Sequence, residues 1–308
     1  MEKKSIILVS ILLFGVGVLF SLLLHNRPAE IKRRSRQLFP QRIVCLTPSI
    51  TETVFALGCG DRVVGVTDYC NYPPEARQKV RLGGFFNPNF ERLIVLNPDL
   101  VISQGHSEKI TQFCRREDIN LLRLDTSNIE SIYQSISLLG RELGCPERAR
   151  QLCYDIRTSL ERISKQLANR PRRRVFFSLY RTTGTMSGVS TVGGGTFISE
   201  LISVAGGSSI FDDVSLAYPQ ISQESLFKRR PEVIIEPLSA PFLSENYRRE
   251  RLRDWQKFSE LPAVRNGQIY FPPLDSLLIP GPRIGPAAAA LARMIHPEVF
   301  GESRPAEY

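Results

Sequence analysis

Two acidic residues stand in matching surroundings in the two halves of this chain. Glu91 opens the run E-R-L-I-V-L-N-P-D-L-V-I, and Glu224 opens E-S-L-F-K-R-R-P-E-V-I-I. Both read Glu, one residue, Leu, four residues, Pro, an acid, then an apolar stretch. An acid in the first turn of a helix complements the helix dipole. Two acids at equivalent positions can also serve as docking charges, one per half. Other candidates for chemistry are sparser. His25, His106 and His296 are scattered, so no metal site is expected, and Ser49 and Ser187 have no evident histidine partner for a nucleophilic triad. Gly193, Gly194, Gly195 and Thr196 precede a helical pattern and could cradle an anion on backbone N–H groups. They lack the lysine of a P-loop and the spacing of a dinucleotide fingerprint, so a turn into a helix capped by Thr196 is the simpler reading. No catalytic acid–base pair emerges, no cofactor is called for, and an enzyme is not expected.

Aromatic side chains offer a different kind of site. Tyr69, Tyr72, Phe85, Phe86 and Tyr218 fall in loops that follow or join strand patterns. The loop 274–284, with Ile279 and Arg283, is similarly placed later in the chain. Ligands of open α/β sheets bind at such strand ends. Trp255, in a charged helical stretch, reads as a packing residue. The six cysteines, Cys45, Cys59, Cys70, Cys114, Cys145 and Cys153, form no C-x-x-C pair, so a zinc ribbon is not expected.

These residues have to be held by elements. The stretch 146–169 is a long helical pattern in which Ala149, Leu152, Ile156, Leu160, Ile163 and Leu167 make one apolar stripe. Pro146 suits a helix start, and Pro171 with Arg170, Arg172, Arg173 and Arg174 closes the other end. On each side strands alternate with helices, which implies parallel sheets. In the first half the pattern predicts strands at 43–46, 63–66, 100–102 and 121–124 and helices at 107–116 and 129–143. Ser49 or Thr51 is the expected cap of a helix ending at Gly58, and Asn89 of the helix carrying Glu91. In the second half it predicts strands at 175–179, 233–235 and 268–271 and helices at 197–204, 248–258 and 284–295, with Ser222 capping the helix of Glu224. The fold expected is therefore α/β, two lobes with parallel sheets joined by a single long backbone helix.

The N-terminus is different in kind. Residues 6–24 are an unbroken run of apolar and small residues behind Lys3 and Lys4, long enough to span a bilayer. No small-x-small cleavage site and no lipid-accepting cysteine follows, so an uncleaved signal anchor is expected. Residues 1–41 carry seven of the basic residues against Glu2 and Glu30, and the rest of the +9 net charge is spread thinly. Basic patches without aromatic interleaving exclude a nucleic-acid binder. The organisation expected is a signal anchor at 1–25, a basic tether at 26–41, a first lobe at 42–145, the linker helix at 146–171, a second lobe at 172–300 and a tail at 301–308.

Taken together, T-P-S-I-T-E, D-Y-C-N-Y-P-P-E, N-F-E-R-L-I-V-L-N-P-D-L-V-I, the linker helix, P-Q-I-S-Q-E-S-L and P-G-P-R-I resemble the helical-backbone class of periplasmic substrate-binding proteins of ABC importers. The likeness spans roughly residues 42–297 and is strongest toward the cobalamin binders of that class. It implies a monomer outside the cytoplasm that captures a corrinoid between two lobes and passes it to permease subunits, with ferric siderophore or haem as the alternative cargo. It places ligand contacts on Tyr69, Phe85 and Tyr218, to which Phe86, Ile279 and Arg283 are added from the neighbouring loops. It places permease-docking acids at Glu91 and Glu224. The pocket tryptophans of the cobalamin binders appear here as Phe85 and Tyr218. For an acidic siderophore, Arg181 and Arg283 are the candidate partners.

Overall fold

The computed structural model describes residues 39–182, 184–185 and 188–301. The expected signal anchor, residues 26–38 of the tether, Ser187 and residues 302–308 of the tail lie outside them. Among the described residues no helix is long and apolar enough to cross a membrane.

The first lobe runs β1 (Ile43–Cys45), α1 (Pro48–Ala56), β2 (Val63–Val66), β3 (Val80–Arg81), α2 (Phe90–Val95), β4 (Leu100–Gln104), α3 (Glu108–Arg116), β5 (Asn120–Leu124) and α4 (Ile129–Glu142). Its five strands are parallel, in the order β3-β2-β1-β4-β5. Then comes α5 (Pro146–Leu167), the backbone helix. The second lobe runs β6 (Arg173–Tyr180), β7 (Ser190–Thr191), α6 (Phe197–Val204), β8 (Gly207–Ser209), α7 (Gln223–Arg229), β9 (Val233–Ile235), α8 (Glu245–Gln256), α9 (Pro262–Arg265), β10 (Ile269–Tyr270), α10 (Ile284–Ile295) and α11 (Pro297–Phe300). Its sheet is ordered β10-β9-β6-β7, with β8 also on β6, and β7 is antiparallel. The two-lobed α/β architecture expected from the sequence is the one observed.

Local chemistry explains most helix starts. The side chains of Asn89, Ser107, Thr196 and Ser222 each accept a hydrogen bond from a backbone N–H three residues on. The helix of the T-P-S-I-T-E motif is an exception. It begins on Pro48 with Thr47 as an N-cap that makes no side-chain bond. Ser49 and Thr51, expected as caps, lie inside the helix, and the Thr51 hydroxyl donates back to the Thr47 carbonyl at 2.9 Å. A proline in the first turn already fixes the helical φ, so the start moves ahead of both. The strands β3 (Val-Arg), β7 (Ser-Thr) and β8 (Gly-Ser-Ser) escape the sequence reading because none carries an apolar run, unlike the equally short β9 and β10.

Alternation within the longer strands assigns the sheet faces. Ile43 and Cys45 of β1, and Val175 and Phe177 of β6, join one core that also contains Ile156, Leu160 and Ile163 of α5. Val44 belongs to an outer core of the first lobe, and Phe176 to an outer core of the second. Each sheet is therefore covered on both faces, as buried parallel sheets require. The stripe on α5 behaves as expected, with Leu152 its one half-buried member. This helix packs on α4 from the first lobe and on α10 from the second. Its 22 residues span about 33 Å, and one continuous core runs through it from lobe to lobe.

Candidate functional site

In the first sheet the chain leaves β1 for β2 and β3 on one side and returns as β4 on the other. The crevice beyond the C-terminal ends of β1 and β4 is where an open parallel sheet holds ligands. A cavity of about 800 Å³ opens there, within the range of small-molecule sites. Thr47 and Ser49 follow β1 into it, and Gln104 and His106 lie at the end of β4. Tyr69, Phe85 and Phe86 complete the first-lobe side. The second lobe closes the opposite side with Phe197 at the start of α6, Tyr218 ahead of α7, and residues 278–280 ahead of α10.

Five of the six expected ligand contacts, Tyr69, Phe85, Phe86, Tyr218 and Ile279, thus meet around one cavity although they come from four separate loops. Tyr69, Phe86 and Tyr218 are 64%, 80% and 52% exposed, so they present broad apolar faces to the cleft. Phe85 is half-buried and meets Phe86 edge-on, with ring centroids 4.6 Å apart. The Tyr218 phenol, like any tyrosine, is protonated at neutral pH and can donate a hydrogen bond, and partial desolvation pushes its pKa further up. Apart from His106, the polar lining is neutral. The Ser49 hydroxyl donates to Gln104 Oε1 at 3.3 Å, and Asn87 adds a second amide. Among the described residues no arginine, lysine, aspartate or glutamate lines the cavity. His106 is exposed and stands on the cavity rim, with Nε2 3.3 Å from a carboxylate oxygen of Glu108.

Arg283 does not join the set. Its Nε and Nη2 donate to the two carboxylate oxygens of Glu52 at 2.7 and 2.5 Å, and its guanidinium lies 4.4 Å from the Tyr72 ring centroid. Glu52 is on α1, and its side chain is 1% exposed, so it demands an ionic partner. Arg283 answers from the other lobe and lines, with Tyr72, a separate depression of about 630 Å³. Arg181 is also withdrawn. It is 2% exposed, donating to Glu236 at 3.2 Å and to Asp254 at 2.9 Å. Neither arginine is left to meet an acidic siderophore.

In the glycine run the first two backbone N–H groups are already engaged. The Gly193 N–H donates to the Ala217 carbonyl and the Gly194 N–H to the Val214 carbonyl. A Cβ on Gly193 would lie 2.0 Å from the Leu216 carbonyl oxygen. These glycines are there for close backbone approach, which seats the loop carrying Tyr218. Trp255 is fully buried, as expected of a packing residue, and His296 is buried between the Gly206 carbonyl and Glu298.

Glu91 and Glu224 are both exposed, each in the first turn of its helix, and neither has an ion-pair partner among the described residues. Glu91 follows the cavity residue Phe85 by six positions, and Glu224 follows Tyr218 by six. Sequence reasoning missed Thr47, Asn87, Gln104 and Phe197 as lining residues. Gln104 had a signal, since Ser103 and Gln104 make a polar end to a strand that begins apolar, whereas Phe197 looked like any core aromatic of a helix.

A protein-family model described as periplasmic binding protein matches residues 43–275. The vitamin B12-binding protein of Vibrio cholerae serotype O1 is 31% identical over 250 residues, covering 80% of this chain and 86% of that protein. The crystal structure of the periplasmic vitamin B12-binding protein BtuF of Vibrio cholerae superposes with a TM-score of 0.70 at 29% identity, covering 83% of this chain and 96% of that one. The periplasmic heme-binding protein RhuT from Roseiflexus sp. RS-1, in apo form, gives a TM-score of 0.71 at 25% identity, covering 83% and 98%.

Proposed function

We propose, from the premise that this chain belongs to the periplasmic binding protein family, that it captures a corrinoid of the cobalamin type and delivers it to an ABC importer. One observation carries the choice of cargo. The cavity is walled by aromatics from both lobes and by neutral hydroxyls and amides, with no charged carboxylate, lysine or arginine among its described lining. A corrin ring is broad, flat and apolar on its faces, with amide arms at its edge, and such a wall matches it. A ferric siderophore with acidic groups would find no cation there.

In this reading Tyr69, Phe85, Phe86, Tyr218 and Ile279 contact the ring. Glu91 and Glu224 meet basic residues of the permease, a role supported by their exposure and their equivalent places. The chain acts as a monomer outside the cytoplasm, and residues 6–24 keep it in the membrane as an uncleaved anchor. That last point rests on the apolar run and the missing cleavage site.

Calorimetry with cyanocobalamin on residues 37–308 is the test. The expected result is tight binding with little change in the visible spectrum, because no lining residue is needed to replace the cobalt's lower base. Tyr218→Ala and Phe85→Ala should each weaken binding by about 1–3 kcal/mol. Absence of corrinoid heat alongside tight binding of a ferric siderophore or haem would overturn the assignment. Haem has one observation in its favour, His106 on the rim as an axial ligand, and one against it, the lack of cations for the propionates. Haem binding would show as a Soret shift abolished by His106→Ala.

A further inference from the structure

Two turns far apart in sequence are pressed together at the back of the first lobe. One joins α1 to β2 and contains Cys59. The other joins α4 to α5 and contains Cys145, the residue that precedes the backbone helix. Their sulfurs lie 3.7 Å apart. Both are thiols in this structure.

The approach is built, not incidental. Two arginines clamp the same turns from either side. Arg62 Nη1 donates to the Leu143 carbonyl at 2.9 Å, and Arg148 Nη1 donates to the Leu57 carbonyl at 3.2 Å. Gly58 makes room for the second clamp, since a Cβ there would sit 1.6 Å from Arg148 Nη1. Backbone bonds fix both cysteines: Cys59 N–H donates to the Val54 carbonyl and Cys145 N–H to the Gly140 carbonyl. A pair held this way needs a sulfur displacement of under 2 Å to reach bonding distance, about 2.05 Å.

We propose that Cys59 and Cys145 form a redox pair that closes to a disulfide, tying the first lobe to the start of the backbone helix. The step rests on the chain being exposed to an oxidising compartment, and its oxidant is an organic disulfide. The Cys145 thiolate attacks that disulfide and releases one small thiol. The Cys59 thiolate then attacks the Cys145 sulfur of the mixed disulfide and releases the second. Two protein thiols are oxidised, one disulfide is reduced to two thiols, and two protons end on the released thiols. Entry is through Cys145, which is half-buried, because Cys59 is 3% exposed. Burial, and then the neighbouring Cys59, push the Cys145 thiol up to about 11, so closure in the folded chain is slow at neutral pH.

The experiment treats reduced full chain with glutathione disulfide, alkylates free thiols and maps peptides without reduction. The expected product links Cys59 to Cys145, lowers the intact mass by 2 Da and leaves the other four cysteines alkylated. Reducing it should lower the melting midpoint by about 5–10 °C, a change absent from Cys59→Ser and Cys145→Ser. Alkylation of both cysteines after treatment, a glutathione adduct that never resolves, or a link to another cysteine would overturn the proposal. Chain isolated from cells fully reduced, yet linked by glutathione disulfide in vitro, upholds the pair and counts only against the oxidising location.

Discussion

The two lobes share a frame and differ in how they hold the loops that meet the cavity. In the first, β1 lies between β2 and β4, with β5 beyond; in the second, β6 lies between β8 and β9, with β10 beyond. The strands β4 and β9 are those preceded by the repeated Glu-x-Leu-x4-Pro-acid run. Behind the cavity the first lobe uses small neutral groups, with Glu52 its one buried ion on α1, paired to Arg283 of the second lobe. Thr47, Ser49, Thr51 and Thr53 are all buried, and their hydroxyls are satisfied within the same helix start or by Gln104. The second lobe buries whole ions. Arg181, Glu236, Arg251 and Asp254 are each 5% exposed or less, Glu236 binds both arginines, and Trp255 Nε1 donates to Glu236 at 2.7 Å. The reason lies in the loops. The chain leaves β1 straight into α1, whereas after β6 it makes a longer excursion to β7, and Asp254 tethers that excursion through Arg181 and the Gly184 N–H. A short connection needs only local bonds, while a long one needs an anchor from another element.

That contrast can be broken most directly at Glu236. Replacing it by alanine takes the shared carboxylate away from two buried guanidiniums and an indole N–H, and should cost about 3–5 kcal/mol by urea unfolding. Ser49→Ala in the first lobe should cost about 1 kcal/mol. Equal costs would erase the difference between the lobes. Next in size is the tie between them. Arg283→Ala strands the carboxylate of Glu52 and should cost about 2–3 kcal/mol, less than a fully buried pair because the arginine is 29% exposed. Corrinoid affinity should fall with it, since residues 278–280 lose their anchor on the first lobe. Undiminished affinity would separate the tie from the cavity.

Acid should weaken the second lobe through Asp254. Burial alone would raise the Asp254 carboxyl, but hydrogen bonds from Arg181, Lys257 and the Gly184 N–H hold it below the usual aspartate range. Its folded pKa thus lies under its unfolded value of about 3.9. The stabilisation is present above that value and is lost as pH falls through the folded one. Asp254→Asn should flatten this part of an acid-unfolding curve; an unchanged curve would remove Asp254 from the account. The smallest effect belongs to the paired surface acids. Glu91→Ala and Glu224→Ala should each cost about 0.3–1 kcal/mol as helix-dipole partners, leave corrinoid affinity unchanged and impair uptake by cells. Normal uptake by the double variant would confine both residues to helix stability.

How far the sequence could be read follows from the range of the interactions. Caps at Asn89, Thr196 and Ser222 were legible because donor and acceptor are three residues apart. The stripe on α5 was legible because its period is local. The cavity aromatics were legible as residues of loops after strands, helped by the family likeness. Arg181 and Arg283 were misjudged because what decides their fate is distant. Glu52 is 231 positions from Arg283, and Glu236 is 55 from Arg181. Glu236 did carry a signal, an acid that directly continues the apolar strand Val233–Ile235. A carboxylate that close to a buried strand end requires cations nearby, and the basic stretch of α8 supplies one.

The continuous core through α5 also bears on what each half of a transport cycle demands. A cleft braced by a packed rod gives up conformational freedom when the chain folds, which leaves less to freeze when the cargo is seated. Loading is then like setting a disc into a dish. Emptying the dish is the laborious half. Any widening has to strain the packing of α5 against α4 and α10, which resists deformation as a close-packed core does. The work of unloading has to come from the machine on which the protein docks.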